Sequence, residues 1–199
     1  MPLTRRDSTG FTIIEMSIAM TVLAVVLAVF ATTVRLLASS TSRAYALADV
    51  TTQGRSAVDA LGRQLGFASA VNTPVQVGQN WYLEFESDDV KSGNDPVCTQ
   101  WRYQPASRLL DYRTWSTVTL VPTSWVPIVR SMVNDPATQP PFTVYGSDSG
   151  FAIVRVAVDL RLAGTSGVLR QSQAQFALRN SQDAPLPGPS TVCTQLGRP

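Results

Sequence analysis

The 199-residue chain contains no histidine, and Lys91 is its only lysine. Histidine is the usual general base and the commonest metal ligand. Its absence removes Ser-His-Asp and Cys-His catalysis and most metal chemistry. Neither a P-loop nor a GxGxxG stretch occurs. There are two cysteines, Cys98 and Cys193, too few and too far apart for a zinc or dithiol redox motif. Charged residues make up 15% of the chain, and 16 basic against 14 acidic residues leave a net charge of +2. That balance gives no basic stripe for nucleic acid. The polar surface must therefore come from Ser, Thr, Gln and Asn, which suits an exported protein. The expectation is a non-enzymatic protein with no cofactor.

Proline is also missing over a long stretch, from Phe11 to Val71. Within it, residues 10–34 form a continuous apolar run, GFTIIEMSIAMTVLAVVLAVFATTV, broken by one carboxylate, Glu15. About 20 residues rising ~1.5 Å each span the hydrocarbon core of a bilayer, so the run is long enough to cross. A carboxylate in such a segment is costly and marks a functional position. Arg5 and Arg6 precede the run, which predicts a cytoplasmic N-terminus and an exported C-terminal part. Ala44-Tyr45-Ala46 has the look of a signal-peptidase site. The apolar segment is too long for a signal sequence, however, and Arg35 and Arg43 intervene.

The leader MPLTRRDSTG followed by Phe11-Thr12-Ile13-Ile14-Glu15 resembles the processing site of type IV prepilins and type II secretion pseudopilins. The resemblance implies cleavage after Gly10 by prepilin peptidase, a membrane aspartyl enzyme, and methylation of the new amine of Phe11. It implies that Glu15 guides assembly into a helical filament, with other pilins or pseudopilins and an inner-membrane assembly platform as partners. The α-amino group of Phe11, cationic near neutral pH, lies four residues from Glu15 and can pair with it within the chain or across subunits. A wrong stagger would strand both charges in a low-dielectric medium at a cost of several (~3–5) kcal/mol, making Glu15 a register device. Many type IV pilins carry a helix-breaking proline in the second half of this segment; here Thr32-Thr33 stands in that neighbourhood.

The helix is expected to run over residues 11–70. Leu36, Leu47, Val50, Val58, Leu61 and Leu65 lie on one face of its second half, and Asn72-Thr73-Pro74 stops it. Gly54, Gly62 and Gly66 weaken a helix by ~1 kcal/mol each, yet small residues permit close packing. The remainder reads as strands: 81–85, 97–104 and 108–115 joined through Pro105-Ala106-Ser107, 118–121, 126–129, 142–145, 151–162 and 168–178. The proline-rich tail from Asp183 onward is expected as coil. If exported, Cys98 and Cys193 can pair, closing a long loop worth ~3–5 kcal/mol.

These readings give an α+β pilin fold, a long N-terminal helix packed on an antiparallel β-sheet domain. Its divisions are a leader (1–10), a membrane and assembly helix (11–38), an amphipathic continuation (39–71) and an extracytoplasmic β-rich domain with its tail (72–199). Gln64-Leu65-Gly66-Phe67-Ala68, Trp101-Arg102-Tyr103 and Phe176-Ala177-Leu178-Arg179-Asn180 add a looser similarity to W-type minor pilins and J-type pseudopilins. The implied product is a minor subunit, first anchored in the inner membrane and then in a filament at the cell surface. Pilus, secretion and DNA-uptake systems all remain open. The alternative of another class is an anchored extracytoplasmic binding or adhesion module that never polymerises. Asp88, Asp89, Asn94 and Asp95 lack EF-hand spacing and read as a solvated loop. Trp81, Trp101, Trp115 and Trp125 read as core or cross-strand aromatics more than as a binding surface.

Overall fold

The computed structural model describes residues 10, 12–89, 95–146, 154–164, 167–178, 192–193 and 196. One helix, α1 (Ile13–Leu65), is followed by nine strands: β1 (Ala68–Val71), β2 (Val75–Val77), β3 (Asn80–Asp89), β4 (Asp95–Gln104), β5 (Leu109–Ser116), β6 (Val126–Val129), β7 (Phe142–Tyr145), β8 (Arg155–Ala163) and β9 (Leu169–Ala177). This is an α+β architecture like the pilin fold. The chain forms two compact units, one up to Ala44 and one from Tyr45 onward.

Thr12 caps the start of α1. Its Oγ1 accepts from the backbone N of Glu15 at 3.3 Å, and its carbonyl accepts from Met16 N at 3.1 Å. The order Thr12-Ile13-Ile14-Glu15 is that of a capping box. Up to Ala44 every described residue of α1 is exposed, including all of its large apolar side chains. Ala44-Tyr45-Ala46 lies in mid-helix, and Ala46 is buried.

In the second unit α1 buries Ala46, Val50, Gly54, Ala57, Leu61 and Leu65, a stripe spaced three or four residues apart. Three of the expected face residues lie in it. Leu47 and Val58 flank it half-buried, and Leu36 stays 70% exposed. The other half of the stripe is made of small residues because β-strands pass close by. A Cβ at Gly54 would fall 2.5 Å from Ser172 Oγ, and one at Gly62 2.8 Å from Phe176 Cε1.

The helix ends at Leu65, earlier than the expected 70. Gly66 N still bonds to Gly62 O at 3.0 Å, and Phe67 N tightens onto Gln64 O at 3.3 Å. Residues 68–71 then pair with β3, Val71 facing Phe85. Ala68 and Val71 are buried there, a gain that outweighs the weak helix preference of a glycine-flanked segment. Asn72-Thr73-Pro74 thus separates β1 from β2 instead of stopping a helix.

The first sheet runs β1-β3-β4-β5-β6, with β2 also paired to β3; the second runs β7-β8-β9. All pairings are antiparallel. Leu83, Phe85, Trp101, Tyr103 and Leu110 of the first sheet share one core with Val156, Val158, Leu160 and Leu162 of the second and with the helix stripe. The sheets meet where Met132 bridges Leu162. Beside this, buried Asn134 donates to the carbonyls of Gln139 and Asp159 and accepts from Arg161 N.

Residues 118–121 are not a strand. Ser116 Oγ accepts from the backbone of Val118 and Thr119, and Leu120 has a φ of 54°, which folds the segment into a turn. The strand expected over 151–162 is described from Arg155. Residues 151–153 of its expected start, like residues 183–191 of the proline-rich tail, lie outside the described residues.

Candidate functional site

The N-terminal segment carries the chemistry singled out in the sequence. Gly10 is exposed, with open space where a Cβ would stand, and the helix begins only at Ile13. The Gly10–Phe11 peptide therefore precedes the first helical turn. The side chain and amine of Phe11 lie outside the described residues, as does the leader. Glu15 sits in the first turn, where the helix dipole favours a negative charge.

What surrounds Glu15 is a helix whose other polar groups satisfy themselves. Ser17 Oγ donates to Ile13 O at 3.0 Å and Thr21 Oγ1 to Ser17 O at 2.8 Å. Thr32 and Thr33 both donate to Val29 O, at 2.7 and 2.9 Å. Ser39, Ser40 and Thr41 do the same to Leu36 or Leu37. Glu15 is the only ionisable residue between Asp7 and Arg35. Among the described residues its carboxylate has no hydrogen-bond or ion-pair partner. The segment has a mean hydropathy of 2.5 over its best 18 residues, none of them buried. A helix with its backbone and hydroxyls internally paired suits hydrocarbon; the bare carboxylate does not.

Cys98 and Cys193 are joined in a disulfide, their Cα atoms 5.6 Å apart across 95 residues of sequence. Both are buried against Trp115. Glu86 lies beside them, and the three side chains are close enough to suggest a metal site. The disulfide withdraws both sulfurs from that role. Burial, helped by the charge of Asp88, pushes the Glu86 carboxyl above its ordinary range.

The face of the first sheet turned away from the helix was not foreseen as a unit. Pairing aligns three rows across β3, β4 and β5: Tyr82–Arg102–Asp111, Glu84–Gln100–Arg113 and Glu86–Cys98–Trp115. Buried Glu84 accepts from Gln100 Nε2 at 2.6 Å and Asn72 Nδ2 at 3.0 Å, and Arg113 Nε donates to Gln100 Oε1 at 2.8 Å. Arg102 grips Asp111 with two bonds of 3.1 and 2.7 Å. Asn72 also takes both backbone groups of Val192, so it clamps the tail next to the disulfide. Trp125 stacks on this face, its ring centroid 3.7 Å from the Arg102 guanidinium and 4.7 Å from that of Arg113. Burial, then the charge of Arg102, hold Arg113 below the usual arginine range. Only the alternation of β3 and β4 hinted at this face, because the pairing register that groups these residues is non-local.

The tryptophans divide accordingly. Trp101 is buried, donates to Gln64 Oε1 at 2.7 Å and stacks on Tyr112; Trp115 is buried on the disulfide; Trp81 and Trp125 are half-buried. Asp88 and Asp89 end β3 and Asp95 opens β4, while 90–94, with Lys91, Gly93 and Asn94, lie outside the described residues.

An N-terminal apolar helix long enough to span a bilayer, with one carboxylate in its first turn and followed by an antiparallel β domain, fits a single-pass anchored protein of pilin-like architecture. Residues 5–31 match the family model of the prokaryotic N-terminal methylation motif, which marks a type IV prepilin-like protein that prepilin peptidase processes for assembly. No curated protein and no solved structure matches the chain.

Proposed function

We propose that the chain is a minor pilin or pseudopilin, cut between Gly10 and Phe11, methylated on Phe11 and built into a filament through α1. It inserts with its N-terminus in the cytoplasm and its β domain outside, and an inner-membrane platform moves it into the filament. The β domain has a binding or structural role and no enzymatic one. Cleavage removes Arg5, Arg6 and Asp7 and creates an amine at Phe11. The observation that carries the reading is Glu15, the one polar side chain of the apolar segment without a partner among the described residues. A neighbour's Phe11 amine supplies the charge it needs, and supplies it only in one stagger.

Glu15→Ala tests this in cells expressing the full chain, the peptidase and the other subunits. Cleavage should proceed, and incorporation into sheared filaments should fall at least about tenfold, as follows from removing a pairing worth at least ~1.4 kcal/mol. Wild-type incorporation of the variant would remove the register role. Mass spectrometry of the mature N-terminus separates the rival: a methylated Phe11 supports assembly, whereas an intact Met1 start makes the protein a permanently anchored module.

A further inference from the structure

The second sheet carries a depression on its outer face that the assembly role does not use. In the strand registers, Thr143, Ala157 and Gln175 lie side by side, with Tyr145 at one end and the Asp159–Gln173 pair at the other. The methyl group of Ala157 leaves a gap among longer neighbours, and the residues around it line a cavity of about 520 Å³. That volume lies in the range of small-ligand sites.

The lining is fixed before any ligand arrives. Gln171 Nε2 donates to both Asp159 oxygens at 2.9 Å, and Gln173 Nε2 to one of them at 3.0 Å. The wall at Thr138 and Gln139 is pinned: Thr138 Oγ1 donates to Asp135, Gln139 N to Asp135 O, and Asn134 Nδ2 to Gln139 O. Arg161 is held by Gln139 Oε1.

The chemistry of this lining selects a ligand class. Among the described residues that line the cavity the one charge is the Asp159 carboxylate, which disfavours anions, and the nearby Arg161 guanidinium is engaged by Gln139 Oε1. That carboxylate already accepts three amide hydrogen bonds, which makes it a poor seat for a metal ion. The apolar part of the lining comes from small groups, Pro140, Ala157 and Ala174 among them, and extended peptides dock along strand edges more readily than on a sheet face. What remains is an oriented carboxylate, amides and the hydroxyls of Thr138, Thr143 and Tyr145, groups that each donate and accept, and one aromatic ring. These fit a ligand with many hydroxyl groups and one apolar face.

The geometry points to this depression as a binding site for a neutral oligosaccharide of two or three units, its hydroxyls bonded to Asp159, Gln173 and Gln175 and one ring against Tyr145. The site is independent of filament incorporation, so failure of either reading leaves the other standing. The test titrates the ¹⁵N-labelled full chain, in a zwitterionic detergent without a sugar head group, with chitotriose, cellotriose, maltotriose and, separately, tetraglycine. At least one trisaccharide should shift the side-chain amide signals of Gln173 and Gln175 saturably, with a Kd in the millimolar range or tighter. Ala157→Trp, which fills the floor from the solvent side, should weaken that binding more than tenfold, and Asp159→Asn should weaken it measurably, both with unchanged core signals. The inference is overturned if no trisaccharide shifts these amides up to its solubility limit, if Ala157→Trp binds as wild type, or if tetraglycine binds better than every sugar.

Discussion

The two stretches of α1 share one hydrogen-bond ladder and one backbone geometry, yet they present opposite surfaces. Between Ile13 and Ala44 the large apolar side chains are exposed all round, as at Val25, Leu27 and Phe30. From Tyr45 to Leu65 the helix is less apolar, but a single stripe is fully buried. Hydrophobicity alone would assign the core to the first stretch. Geometry assigns it to the second, where Gly54 and Ala57 contribute as much to the contact as Val50 and Leu61. A helix that is apolar on every side needs a solvent of matching polarity; one with a narrow stripe of mixed sizes needs a surface shaped to it.

The contrast breaks most visibly under one substitution made twice. Leu61→Ala empties a fully buried site and should cost ~2–5 kcal/mol of domain stability, lost transfer energy plus the cavity left behind. Leu27→Ala, on the exposed stretch, should leave the domain's melting temperature unchanged in detergent. Thermal unfolding of the β domain, followed by near-ultraviolet circular dichroism, compares the two. Equal losses would mean that the stretches are not separate units.

Next in size is a clash where the helix meets the second sheet. Gly62→Leu must place its Cβ within 2.8 Å of the Phe176 ring. Overpacking of this kind costs ~1–3 kcal/mol, which here exceeds the ~1 kcal/mol that replacing a helical glycine returns. Guanidinium titration of the full chain in detergent should show a lower midpoint with an unchanged slope. A midpoint at or above wild type would mean that Phe176 swings aside freely.

The two stretches were also unequally legible. Residues 10–34 declare themselves through composition and order: an unbroken apolar run, one acid and a glycine before an aromatic residue. All of that is local. The strands from β3 to β9 were mostly visible too, because alternation at Val156, Val158, Leu160 and Leu162 is a property of neighbouring residues. What stayed hidden depends on partners distant in sequence. β1 continues the helical pattern in sequence, and Ala68 and Val71 reveal their burial only once β3 lies beside them. The polar rows on the first sheet exist only in the register that sets Glu84 opposite Gln100 and Gln100 opposite Arg113. In sequence Gly54 and Gly62 are equally weak points of the helix or sites of close packing, and only Ser172 and Phe176 decide between the two. Thr12 is the exception: its cap on the backbone N of Glu15 is written locally, in the order Thr12-Ile13-Ile14-Glu15.

Thr12 supplies the smallest and most local effect. Thr12→Ala removes the hydroxyl that accepts from Glu15 N at 3.3 Å. Losing such a cap costs ~1 kcal/mol, and it falls on the first turn alone because helix ends open independently of the rest. Amide exchange at Glu15 and Met16, whose N–H groups bond to Thr12, should therefore rise about fivefold in detergent, since ~1 kcal/mol corresponds to that factor. Thr12→Ser, which keeps the oxygen, should exchange as wild type. The equivalent deletion in the second stretch, Thr51→Ala, removes a donor rather than an acceptor. Thr51 Oγ1 gives its hydrogen to Leu47 O, a carbonyl already within the helical ladder. No backbone donor loses its partner there, so exchange around Thr51 should stay the same. If both threonines respond alike, the cap is not what orders the turn that carries Glu15. That carboxylate would then reach a neighbouring subunit from a frayed end, and the stagger it is proposed to set would lose its rigid reference point.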